Sequence, residues 1–368
     1  MKRANSILAM ALTCALSFSL LSACGGDTAS KPSASPSGGT APAASAPASS
    51  GTQKAEYTLK FGTVVSTTHM AYACMQDFEK RVEEATNGRI DVQLYGDSQL
   101  GGEREIIEGM SMGTIEMFYG GSMTLAGFTE AAKFQSLPFL FTGGFDAAHE
   151  FFDTYGAPIS EKIEADSGVK VIWTENGTFD PLCNKEINVP ADFKGLKMRC
   201  HEVDVMLEAY EALGAQPTAM AFNEIYTGLQ QGTIDGCNTT SLLIDTSKFY
   251  EQCKVYNKMN LFYDMGVTGI SASWYNGLPE DLQKIVLDEA NAFAQQYNDN
   301  YAKALEECET RMTSEEGLTI KTYTQDELAP FIEAVQPAYD WFRKNVDEPN
   351  LDTYLDALKE INAKYLAS

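Results

Sequence analysis

The chain has 368 residues, with 27 basic and 51 acidic side chains and a formal charge of −24. So acidic a chain is not a nucleic-acid binder by long-range electrostatics, and it repels anionic solutes at a distance. Any anion it takes must be captured by a local arrangement of donors.

Lys2 and Arg3 make a short basic start, an apolar run covers 7–21, and Leu21-Ser22-Ala23-Cys24 follows. Small residues before a cysteine, directly after an apolar run, predict a lipoprotein signal peptide over 1–23. Cys24 then becomes the N-terminus and carries lipid (thioether-linked, with palmitate-type acyl chains). One acyl chain holds a protein weakly, whereas two or three hold it firmly. The apolar run is too short to prefer spanning a bilayer, and no later stretch of ~18 apolar residues occurs. Residues 24–54 are rich in Ser, Ala, Pro and Gly. Having little to bury, they predict a flexible tether, with a glycosylated stalk as the alternative. Cleavage removes Lys2 and Arg3 and no acid, so the mature charge is −26. The expected location is the outer face of the cytoplasmic membrane, on the cell-surface or periplasmic side.

Besides Cys24, six cysteines remain in the body, at 74, 183, 200, 237, 253 and 308. None forms CxxC, so neither a zinc ribbon nor a thioredoxin-type site is suggested, and spacing does not give a pairing. Buried thiols are expected for most of them.

From residue 57 the pattern alternates. A strand at 57–64 is followed by N-cap candidates Ser66-Thr67-Thr68-His69 and a helix with apolar positions at 71, 74, 75, 78, 82 and 85. Asn87-Gly88 ends that helix, and a strand at 89–95 follows. A helix at 103–110 and a strand at 115–119 come next. The alternation resumes with strands at 169–173 and 197–200, helices at 202–213 and 222–231, and a short strand at 233–237. This predicts an α/β fold with a largely parallel sheet, in two units. A helix opening at Leu278-Pro279-Glu280-Asp281 keeps its apolar period to 312 without glycine or proline before Gly317. Its length, about 50 Å at ~1.5 Å per residue, exceeds one lobe, so it must pack on both.

Gly109-Met110-Ser111-Met112-Gly113 matches the GxSxG nucleophile elbow. The elbow needs a strand before the serine and a helix after it, and here the order is reversed. Only His69, His149 and His201 could supply a base. The glycines read as a helix end, and no catalytic residue, metal site or cofactor is expected.

Several stretches resemble the solute-binding subunits of TRAP transporters, the DctP-type family. They are Ser98-Gln99-Leu100-Gly101-Gly102-Glu103-Arg104-Glu105, Leu137-Pro138-Phe139-Leu140-Phe141, Lys194-Gly195-Leu196-Lys197-Met198-Arg199 and the run from Met220 to Gly236. Lys248-Phe249-Tyr250-Glu251 and Leu278-Pro279-Glu280-Asp281-Leu282-Gln283 complete the series. Together they fall in the family's order and cover nearly all of 56–368. The resemblance implies a two-lobed, periplasmic-binding-protein-like clamshell with a long helix spanning both lobes. It assigns 55–177 and 265–304 to lobe I, and 178–264 and 305–368 to lobe II. Crossings are expected near 176–180, near 263–266 and within the long helix.

The family grips a ligand carboxylate with the arginine of an L-K-x-R motif, here Arg199. A guanidinium offers a planar two-donor fork and keeps its charge. Phe222 matches a phenylalanine that packs against the ligand body. Thr239, with Asn238 beside it, matches a family asparagine. Phe179 stands where many members carry a second ligand arginine, followed by Asp180. A phenyl ring cannot pair with a second carboxylate, so a four-carbon dicarboxylate fits poorly. One carboxylate with an apolar, aromatic or cationic part is implied. Glu202 and Asp264 match positions near the cleft, where an inward acid would favour a cationic ligand group. His69, Tyr119 and Ser122 lie at strand ends, where open α/β sheets place ligands.

The expected function is extracytoplasmic capture of a small organic anion or zwitterion by lobe closure, and delivery to TRAP membrane subunits. The protein is expected to be a non-enzymatic monomer. An ABC-importer binding protein, a ligand sensor and a secreted hydrolase are the alternatives.

Overall fold

The computed structural model describes residues 54–366, so the expectations for 1–23, Cys24 and most of the tether lie outside it. Strand β1 (Tyr57–Thr63) pairs in parallel with β2 (Ile90–Tyr95) across helix α1 (Met70–Ala85). α1 begins where His69 Nδ1 accepts the Ala71 amide hydrogen at 3.1 Å. An acceptor there satisfies one of the four amides that a helix start leaves open. Ala71, Cys74, Met75, Phe78 and Val82 form its buried stripe. α2 (Glu103–Ser111) carries Glu103 and Glu105 in its first turn, complementing the helix dipole, and leads to β3 (Met117–Gly121) beside β1. The Ser111 hydroxyl lies 3.1 Å from the Ile107 carbonyl and 2.9 Å from that of Ser167, as a helix-end residue would.

A turn at Ser122–Gly127 and the short α3 (Glu130–Lys133) precede α4 (Gly144–Ser167) and β4 (Val169–Cys183). The next unit comprises β5 (Lys197–Cys200), α5 (Asp204–Ala212), β6 (Gln216–Ala219), α6 (Ile225–Gln231), β7 (Gly236–Thr239) and α7 (Ser241–Thr246). Then come β8 (Val255–Lys258), β9 (Phe262–Ser271), α8 (Ala272–Asn276), α9 (Glu280–Ser314) and β10 (Thr319–Thr322). α10 (Gln325–Ala334), α11 (Gln336–Asn345) and α12 (Leu351–Leu366) end the described chain.

The strands order as β2-β1-β3-β9-β4-β7-β5-β6, with β8 joining β4 to β10. The outer pairs are parallel, but the two central strands are not. β9 runs antiparallel to β3 and to β4, and β4 runs antiparallel to β7 and β8. The expected largely parallel sheet is therefore mixed. β4 pairs with β9 from Val169↔Ser271 to Phe179↔Phe262, then its last residues pair with β7 and β8. Two strands thus pass from one half of the fold into the other, with a bulge in β4 between Glu175 and Gly177.

α9 has 35 residues, about 52 Å at ~1.5 Å each, and packs on α1 at one end and α7 at the other. Its Tyr301 hydroxyl bonds the Asn176 carbonyl at 3.2 Å, beside the bulge. α12 departs from the expected grouping of 305–368. It packs on α4, in the stretch assigned to lobe I, where Tyr354 meets Phe134 and Phe151 at ring distances of 5.2 and 5.5 Å. Asn362 accepts the Gly143 amide and donates to the Leu140 carbonyl. α11, by contrast, lies against α5. All six body thiols are free and buried.

Candidate functional site

Arg199 lies on β5, between β6 and β7, with only 1% of its surface exposed. Its Nε donates to the Met220 carbonyl at 2.8 Å, which fixes the guanidinium plane. Nη1 is buried without a hydrogen-bond partner. A buried donor left open costs about 1–3 kcal/mol, more when charged, so this end of the fork is poised for an acceptor. Burial lowers the Arg199 pKa, and the nearby Glu103 carboxylate opposes that shift.

The guanidinium opens into a cavity of about 170 Å³. Arg199, His201, Glu202, Met220 and Phe222 face it from one side. Glu103 and Arg104 of α2, with Met123, Thr124 and Phe128 after β3, face it from the other. The cavity therefore sits between the two halves that β4 and β9 connect. At its rim Arg104 reaches across to Glu202 (Nε–Oε2 3.4 Å) and lies over the Phe128 ring at 5.6 Å. Burial raises the Glu103 pKa, and the Arg199 charge pulls it back. The cavity holds one buried cation, Arg199, while Arg104 at the rim is engaged with Glu202.

Of the residues singled out from sequence, Arg199, Glu202 and Phe222 line this cavity. Phe179 is 3% exposed and meets the His201 ring edge-on at 5.0 Å, one layer behind the wall. Asn238 Nδ2 is 3.5 Å from His201 Nδ1, and its Oδ1 has no partner. Thr239 Oγ1 is likewise buried and unpartnered. Three buried polar atoms, on Arg199, Asn238 and Thr239, are thus left open on β5 and β7.

Asp264 and Ser122 bond to each other (Oγ–Oδ1 2.6 Å) and do not line the cavity. Asp264 is fully buried with donors on both oxygens, so no cationic ligand group is needed to balance an open acid there. Asp180 is also enclosed, its Oδ1 accepting the Met259 and Leu261 amides at 3.2 and 2.8 Å. His69 and Tyr119 sit apart, in an aromatic cluster with Tyr297 and Phe293. His69 is held neutral by burial, its pKa lowered to about 4. Ligand contacts were expected of these two; both are buried in the core and neither lines the cavity.

His201, Glu103, Arg104, Met123, Phe128 and Met220 were not singled out from sequence as site residues. His201 was within reach, since residues two apart on a strand share a face and Arg199 marks that face. Met220 contributes a backbone carbonyl, for which no side-chain signal exists.

The model of the family "bacterial extracellular solute-binding protein, family 7" (DctP) matches residues 61–345. The C4-dicarboxylate-binding periplasmic protein DctP of Vibrio cholerae is 29% identical over 304 residues, 82% of this chain and 91% of that protein. The 2,3-diketo-L-gulonate-binding periplasmic protein YiaO of Escherichia coli is 30% identical over 241 residues, 64% of this chain and 72% of its own length. Among solved structures, the sugar acid binding protein DctPAm of Advenella mimigardefordensis, in complex with galactonate, superposes with a TM-score of 0.79. It is 23% identical and covers 84% of this chain and 100% of its own, so it speaks for the fold. A TRAP periplasmic solute-binding protein of Sulfurospirillum deleyianum with bound succinate gives 0.75 at 26% identity, over 84% and 99% of the two chains. With the two-halved sheet, the long helix and the family match together, the chain belongs to the DctP family of TRAP-type extracellular solute-binding proteins.

Proposed function

We propose that the chain captures a monocarboxylate bearing hydroxyl, apolar or cationic groups, of the sugar-acid kind, and hands it to TRAP membrane subunits. The observation that carries this is Arg199, a buried guanidinium that lines the cavity with Nε held by Met220 and Nη1 without a hydrogen-bond partner. One carboxylate completes the fork. Glu103 faces the same space and offers an acceptor to a hydroxyl or ammonium group on the ligand. A second carboxylate finds no free buried cation, because Phe179 replaces the expected arginine and Arg104 is engaged at the rim. Relatives described with galactonate and 2,3-diketo-L-gulonate support a sugar acid; those described with succinate and C4-dicarboxylates support the carboxylate alone.

Residues 55–177 and 265–304 form lobe I in this reading, and 178–264 with 305–350 form lobe II, α12 returning to lobe I. A solute that touches both lobes stabilises the closed form by the contacts it adds there. The permease then distinguishes loaded from empty protein. Cys24 carries the lipid that keeps the protein at the outer face of the cytoplasmic membrane, and the chain acts as a monomer without catalysis.

A thermal-shift screen tests this reading with galactonate, glucuronate, succinate, amino acids and neutral sugars. Sugar acids should raise the melting temperature most and succinate less. Stabilisation by neutral sugars with none by any carboxylate would overturn it.

A further inference from the structure

A second compartment, of about 240 Å³, adjoins the Arg199 cavity, and Phe222 lines both. Ser66, Asp97 and Ser98 face it from the first half of the fold, and Asn223, Tyr226 and Ser247 from the second. Like the cavity, it lies between the halves that β4 and β9 connect. Both of its sides carry strained backbone. Asp97 and Ser98 have φ of +50° and +57°, and Lys248, next to Ser247, has +56°. Non-glycine residues held in this region gather at ligand clamps. Size argues for using both spaces. The Arg199 cavity, at about 170 Å³, falls short of the roughly 300 Å³ at which small-molecule pockets begin, and with its neighbour it exceeds that. The Arg104–Glu202 pair crosses the rim of the cavity, so a longer solute extends past Phe222.

We propose that this compartment is a subsite for a neutral sugar ring joined to the acid, so that the protein takes a disaccharide with one carboxylate more tightly than the single sugar acid. The lining has the chemistry for it. The Phe222 and Phe249 rings, 5.8 Å apart, give it an apolar side. A phenyl face is electron-rich, and the C–H groups of a sugar ring pack on it. Around them the side chains of Asp97, Asn223 and Ser247 have no hydrogen-bond partner among the described residues. A carboxylate accepts from sugar hydroxyls, and an amide and a hydroxyl both donate and accept. No Lys, Arg or His lines the compartment, and Asp97 repels an anion, so the ring it takes carries no second carboxylate. The acid end stays on Arg199. The proposal rests on the sugar-acid reading above.

Isothermal calorimetry tests it with gluconate against its hexosyl derivatives lactobionate, cellobionate and maltobionate, and with galacturonate against digalacturonate. At least one hexosyl gluconate should bind about ten-fold tighter than gluconate, the gain expected from two or three neutral hydrogen bonds. Digalacturonate should show no gain over galacturonate. Ser247→Trp fills the compartment and should bring the preference for the hexosyl gluconate to within about three-fold of none; Asn223→Ala should reduce it by a smaller factor. Because the preference is a ratio within one protein, a general loss of folding cancels. Hexosyl gluconates that bind no tighter than gluconate would overturn the proposal, and so would a preference that both variants leave intact. The wild-type comparison decides even if a variant fails to fold. Single sugar acids that still bind would leave the sugar-acid reading standing, whereas no binding by any acid would end both.

Discussion

Replacing Arg199 by alanine removes the group on which the proposed capture turns. The Met220 carbonyl occupies Nε, so the terminal nitrogens are what a carboxylate meets, and Nη1 is already open. Two charge-assisted hydrogen bonds at about 1.5–3 kcal/mol each amount to about 3–6 kcal/mol. Since 1.4 kcal/mol is a factor of ten, affinity should fall by at least about 100-fold. Glu103, left beside the cavity without its cation, would add to the loss by repelling the anion. Arg199→Lys keeps the charge but not the fork or the Met220 tie, and should fall between wild type and alanine. Isothermal calorimetry with the best sugar acid from the screen reads the affinity, and a melting curve without solute reads folding. The substitution removes an unpartnered buried donor but also the Met220 bond and the charge beside Glu103, so the ligand-free melting curve is the control that separates lost folding from lost binding. A folded Arg199→Ala protein that binds within about three-fold of wild type would refute the reasoning. A lower melting temperature with unchanged affinity would mark Arg199 as a structural cation.

Other expectations follow from the same geometry. Gly177 has φ +91° and its Cβ would stand 2.0 Å from the Tyr301 hydroxyl, so Gly177→Ala should destabilise by at least about 2 kcal/mol. A melting temperature within a degree of wild type would count against a tight contact between α9 and the bulge. Glu202→Gln breaks a rim pair whose side chains are about half exposed, so affinity should change less than about five-fold. The change should vanish in high salt; a hundred-fold loss would instead make Glu202 a ligand contact. His69, with its pKa lowered from 6.5 to about 4, contributes stability that is present above pH 6.5 and lost as pH falls toward 4. At pH 5 that loss is about 2 kcal/mol. His69→Asn keeps an acceptor for the Ala71 amide and should flatten the acid limb of a melting-temperature profile by about that amount. Asp264 and Asp180, with pKa values pushed up to about 7 and about 6, act in the opposite sense. Their protonation stabilises the folded state as pH falls, so the comparison is made against wild type at each pH.

The elements of the first part of the chain were legible because they carry simple periods: α1 buries one stripe, β1 and β2 alternate, and glycines mark the turns. The long helix was legible for the same reason. The strand crossing was not. β4 runs through Asn176, Gly177 and Pro181, which read as breakers, and tertiary pairing with β9 and, at Pro181, with β7 overrides them. β9 is buried at every position, so it offers no alternation to read. α12 has an apolar stripe like any surface helix, and nothing local says that its complement is α4. At the site, Arg199 and Phe222 came from motif position, and both line the cavity. Asp264 does not line the cavity, and its enclosure gave no local signal because its partners at 122, 123 and 176 are distant in sequence. Tyr119 was expected at a strand end, but β3 runs on to Gly121 and leaves it mid-strand, while His69 caps α1, and both rings pack on aromatic residues of α9.

The most direct measurement is a crystal structure of the protein with the sugar acid that stabilises it best. The ligand carboxylate should lie about 2.7–2.9 Å from Arg199 Nη1, with Nε still on Met220 and ligand hydroxyls reaching the Glu103 side of the cavity. A carboxylate bound elsewhere, with Arg199 bonded only to Met220, would contradict the account.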